Sequence, residues 1–87
     1  MPWEDTLDHI RHIDIPAADL ARWEATGRSL ETVAPEVLVE IAGLSTDPCK
    51  HRMLRVAKAA RYAAEIADEP LKTEAVALAE ELERQSV

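Results

Sequence analysis

All three histidines and the single cysteine of this chain fall in two tight pairs, His9-x-x-His12 and Cys49-x-His51. Three imidazoles and a thiolate form a suitable donor set for Zn²⁺, and a spacing of three places His9 and His12 on one side of a helix. The two pairs nevertheless do not make one site. On a helix over 48–67, Cys49 shares a stripe with Met53, Val56 and Ala60, whereas His51 points the other way, so one ion cannot easily take both. His9 and His12 lie off the face made by Trp3, Leu7 and Ile10, where solvated histidines belong. No metal ligand is assigned and no cofactor is expected.

For nucleophilic chemistry the chain offers Cys49, Ser29 and Ser45 beside the histidines, but no glycine-rich elbow and no triad framework. A cysteine near a helix start can have a lowered pKa. The place of Cys49 on the apolar stripe assigns it instead to the core. Gly27 and Gly43 each follow a helical stretch rather than precede one, so neither belongs to a phosphate-cradling loop. The acid pairs Glu4-Asp5, Asp68-Glu69 and Glu80-Glu81 read as helix-end or solvated charge. No catalytic residue is assigned, and the expectation is a protein that is not an enzyme.

The charge pattern carries more. Residues 48–64 hold five bases, Lys50, Arg52, Arg55, Lys58 and Arg61, and no acid; that is +5 within a chain of net −7, leaving −12 on the remainder. At about 100° per residue, His51, Arg55, Lys58 and Tyr62 fall on one stripe nearly opposite Met53, Val56 and Ala60. Leu54 and Ile66 flank that stripe without an obvious place in the core. Leu54, Arg55, Lys58, Tyr62 and Ile66 are therefore the candidate partner-binding residues, apolar and aromatic anchors among charges that steer and select. The competing reading is a solvated face, neutralised by Glu74, Glu80, Glu81 and Glu83 and by the acidic first segment. Exposed ion pairs of that kind contribute only about 0.2–1 kcal/mol each.

These residues need helices to position them, and proline marks where the helices begin. Pro2, Pro16, Pro35, Pro48 and Pro70 each precede a run of good helix formers, and proline in the first turn forfeits no hydrogen bond. Five helices are expected, over 3–13, 16–26, 35–42, 48–67 and from 70 onward, with Gly27 and Gly43 ending the second and third in left-handed caps. Ser29 could cap a short turn holding Leu30 and Val33, and Thr46 or Asp47 the fourth helix. The alternative for 29–44 is a single kinked helix. Core candidates are Leu20, Trp23, Leu30, Val33, Val37, Leu38 and Ile41; Trp3 is either core or an exposed anchor. Cys49, Met53, Val56, Ala60, Ala63 and Ala67 recur at steps of four and three, a heptad seam. Leu71, Ala75, Leu78 and Leu82 repeat the spacing, so the last two helices are predicted to form an antiparallel αα-hairpin. Residues 84–87 read as a frayed tail.

Residues 35–68, with Asp47-Pro48 in the turn and Arg52 soon after, resemble a single HEAT-type helix pair. A solenoid needs about three repeats, so the resemblance implies only protein binding on a helical face.

Length and composition bound the rest. An all-α, compact bundle of about five helices in one domain, residues 1–87, fits a chain that is 47% apolar yet contains no phenylalanine. At this size folding buries about 60–65% of the unfolded surface, too little for a deep catalytic cleft. Net charge −7 disfavours nonspecific nucleic-acid or anionic-membrane binding. One cysteine allows no internal disulfide, no run approaches the roughly 20 apolar residues of a membrane span, and the N-terminus is acidic. A complete, cytoplasmic chain is the expectation. The functional reading is a small acidic protein-interaction module, an adaptor, inhibitor or immunity-type protein, with a partner protein or, through the seam of 48–67, a second copy. The alternatives are a nucleic-acid-binding regulator using the basic face, opposed by the overall charge, and a metal or thiol enzyme, which lacks a framework.

Overall fold

Proline stands at three helix starts in the computed structural model, which describes residues 15–46 and 49–86. α1 spans Ala17–Leu30, α2 Pro35–Leu44, α3 Lys50–Ile66 and α4 Leu71–Gln85. Pro16 and Pro70 occupy the position just before α1 and α4, and their carbonyls accept the Leu20 and Glu74 N–H groups at 3.0 and 3.2 Å. Pro35 is the first residue of α2. The helix predicted over 3–13, with Trp3, His9 and His12, lies outside the described residues, as do Asp47 and Pro48. Among the described residues there are four helices and no strand.

Two predicted endings are corrected. α1 does not stop at Gly27 but runs through it for another turn, and α2 includes Gly43; neither glycine has a positive φ. Their role is close approach. A Cβ on Gly27 would stand 2.7 Å from the Ile41 Cδ1 of α2, and one on Gly43 would run into the Arg52 guanidinium of α3. Sequence 29–44 is not one kinked helix. The chain turns after Leu30, whose carbonyl accepts the Val33 and Ala34 N–H groups at 2.9 and 2.8 Å, and α2 then starts afresh. Ser29 lies within α1, its hydroxyl donating to the Ala25 carbonyl rather than capping a turn.

Each helix packs on the next and α1 closes back onto α4, which makes a four-membered ring around one apolar cluster. Trp23 and Leu30 enter it from α1, and Val37, Ile41 and Leu44 from α2. The seam predicted on α3 is buried as expected at Met53, Val56, Ala60 and Ala63, and Ala57 and Ala64 widen it. From α4 come Ala75, Leu78, Ala79 and Leu82. Leu20, Val33 and Leu38 are only half-buried at the margin. α3 and α4, joined by residues 67–70, make the most extensive helix pairing among the described residues and return antiparallel, alanines against leucines and alanines. Glu69 starts α4 by accepting the Thr73 N–H at 2.9 Å and its hydroxyl at 2.8 Å, which satisfies one of the orphan donors of the first turn. α4 continues through Arg84 to Gln85, and the Ser86 hydroxyl donates back to the Glu83 carbonyl at 3.0 Å.

Candidate interaction surface

The buried seam occupies one arc of α3 and leaves the opposite arc to solvent. All five candidate residues lie on the solvent side. Leu54 is 43% exposed, Tyr62 and Ile66 are each 55% exposed, and Arg55 and Lys58 are exposed. Arg55, Lys58 and Tyr62 come together along a groove whose floor is Ala59 and whose far wall is Glu36 and Glu40 of α2. Leu54 and Ile66 do not line it. At 100° per residue, Leu54 sits toward the α4 side of α3 and Ile66 toward the α2 side.

The bases of α3 divide among their neighbours. Arg61 reaches α4, where the Glu83 carboxylate accepts its guanidinium at 2.6 and 3.1 Å. That contact holds the Glu83 carboxyl below the usual range and raises the Arg61 pKa. Arg52 and Arg55 both turn to Glu40 of α2, at 3.4 and 3.5 Å. Among the described residues, no acid of α4 forms an ion pair with the stripe itself: Glu83 pairs with Arg61, beside it, and Arg55 pairs with Glu40 of α2. Glu81 instead faces α1, where Arg22 clasps it with two nitrogens while also donating to Asp19 at 2.7 Å. Glu81 is held below the ordinary carboxylate pKa, first by Arg22 and also by the nearby Trp23 indole. Lys58 and Glu36, across the groove from each other, have no ion pair among the described residues.

Trp23 is core, 1% exposed. Its indole N–H has no acceptor in hydrogen-bond geometry among the described residues, although it lies close enough to the Glu81 carboxylate to lower that group's pKa. Cys49 is half-buried at the position before α3, and His51 is exposed. The described residues include no group of three or more His, Cys, Asp or Glu side chains placed to hold a metal ion. No described helix is long and apolar enough to cross a membrane.

Sequence reasoning missed the acidic wall and Val39, which is 70% exposed on α2. A signal for the wall was present. Glu36 and Glu40 stand four apart, beside the buried Val37 and Ile41, and therefore share one side of α2. A short connection to an antiparallel α3 brings that side against Arg52, Arg55 and Lys58. Comparison with protein-family models, with curated proteins and with solved structures gives no match to this chain.

Proposed function

We propose that this chain is a non-enzymatic protein-interaction module, an adaptor, inhibitor or immunity-type protein of the cytoplasm, that engages a partner protein through the solvent face of α3 and the groove beside it. The observation that carries the reading is the placing of Tyr62 and Ile66, each more than half exposed, beside Arg55 and Lys58 on a helix whose other face is fully used by the core. Aromatic and arginine side chains supply most interface energy when they are desolvated by a partner. Nucleic acid fits this face less well, because Glu36 and Glu40 line the same groove and would oppose a phosphate backbone.

The test is capture from extract of the native cell with the immobilised protein and, in parallel, its Arg55→Glu/Lys58→Glu variant. Both side chains lie opposite the seam, so the variant should keep the helical circular-dichroism signal of the parent. A protein retained by the parent and lost by the variant supports the reading. Retention of the same protein by both places the interface elsewhere, and retention of nucleic acid alone reverses the ranking.

A further inference from the structure

The α2–α3 groove has an uncommon charge plan. Its two walls carry opposite sign, Glu36 and Glu40 on α2 against Arg55 and Lys58 on α3, so its formal charge sums to zero in a chain of net −7. A uniformly acidic ligand meets Glu36 and Glu40, and a uniformly basic one meets Arg55 and Lys58. The ligand that fits presents a base opposite the acidic wall and an acid opposite the basic wall, at the spacing of the walls themselves. The chain carries such a surface, namely this groove.

We infer that the groove is the contact between two copies of the chain, related by a two-fold axis running along it. Such an axis keeps position along the groove and exchanges its two sides, so each acidic wall lies on the partner's basic wall. An isologous contact repeats every interaction twice. Glu36 meets the second copy's Lys58, the two charges that have no ion pair within the described residues, and Glu40 adds a second acid opposite the second copy's Arg55, which its own 3.5 Å contact leaves with donors to spare. Tyr62, at the rim of the basic wall, then lies over the second copy's acidic wall, where its hydroxyl can donate to a carboxylate. Ala59 on the floor keeps the approach close. A two-fold axis across the groove would set acid on acid and is excluded by the same charges. The seam of α3, the alternative pairing surface for a second copy, is covered by α4 within the chain; outside the neutral groove the net charge of −7 opposes a second molecule.

This inference rests on the reading of the α2–α3 face as an interaction surface and names its occupant. It is tested with purified protein and no extract, so it can fail while the capture experiment succeeds, and the reverse. Sedimentation velocity across a wide concentration range should show the wild type dimerising, with the dimer weakened by salt. Glu36→Lys alone and Lys58→Glu alone should each weaken dimerisation by about tenfold or more, since each substitution sets like charges together twice. Mixed in equal amounts, the two variants should restore a dimer containing one of each. In that mixed dimer the two introduced side chains, a lysine and a glutamate, face each other, while the unchanged Lys58 of one copy faces the unchanged Glu36 of the other. Circular dichroism of each variant verifies that the fold is kept. A wild type that stays monomeric up to millimolar concentration overturns the inference and leaves the groove to another protein. Dimerisation indifferent to both substitutions, or variants that do not rescue each other, overturns it as well.

Discussion

Ala60→Leu tests the architecture at the point where it has least room. Ala60 is fully buried on α3, flanked on the same face by Val56, Ala57, Ala63 and Ala64 and faced by Ala75, Leu78, Ala79 and Leu82 of α4. Small residues on both sides let helix axes approach toward the lower end of the roughly 8–10 Å range. Leucine adds three carbons. If a space existed for them, burying about three methylene equivalents would stabilise by roughly 2.4 kcal/mol at about 0.8 each. With no space, α4 must move outward by an ångström or so, which loosens the contacts of every alanine along the seam, and overpacking of this kind costs about 1–3 kcal/mol. In a domain of this size each kcal/mol is worth about 4–8 °C in Tm, so a fall of roughly 5–20 °C is expected. The assay is urea and thermal unfolding followed by far-ultraviolet circular dichroism at two protein concentrations, with Ala77→Leu as the control. Ala77 lies on the outer side of α4, away from the buried cluster, and its substitution should change stability by no more than about 0.5 kcal/mol. A neutral or stabilising Ala60→Leu would mean that the seam holds a void and that α3 and α4 are not packed as described.

The two helical glycines should respond oppositely to alanine. Both substitutions gain up to about 1 kcal/mol of helix propensity, but at Gly43 the obstacle is the end of the long, partly exposed Arg52 side chain, which can move aside, whereas at Gly27 it is the buried Ile41 within the core. Gly43→Ala should be neutral or stabilising and Gly27→Ala destabilising by about 1 kcal/mol net; equal urea midpoints for the two would refute the assignment. Stability should also fall in acid through Glu81 and Glu83, whose folded pKa values are lowered by Arg22 and Arg61. A carboxylate with a depressed folded pKa contributes fully above its unfolded value, about 4.3, and loses that contribution as pH falls through the folded value. Glu81→Gln should flatten the acid limb of a urea-midpoint profile, and an unchanged limb would remove Glu81 from the account.

What was legible in the sequence was whatever repeats along a helix. The seam from Met53 to Ala63 and its counterpart at Ala75, Leu78 and Leu82 could be read from steps of three and four alone, and the exposure of Leu54, Arg55, Lys58, Tyr62 and Ile66 followed from the same wheel. Proline marked helix starts because its backbone constraint is local. Glycine misled for the opposite reason. A helix-ending cap and a close helix crossing both call for a missing Cβ, and only the position of α2 against α1 and of Arg52 against α2 distinguishes them. The groove was equally non-local. Glu36 and Glu40 look like ordinary solvated acids until the turn after Leu44 brings them alongside α3, and the diversion of Glu81 to Arg22 depends on α1 closing the ring onto α4.

That ring of helices has a consequence for how the molecule comes apart. Helices of ten to seventeen residues are marginal in isolation, and a hairpin paired largely through alanine removes little apolar area per residue from water. The bulk that α3 and α4 lack arrives as Trp23, Leu30, Ile41 and Leu44 from the other two helices, which among the described residues are covered by each other and by the hairpin. The two halves share one core, and cooperative two-state unfolding is the behaviour expected of a domain this small; the groove built from α2 and α3 is then lost together with the core that holds its two walls in place.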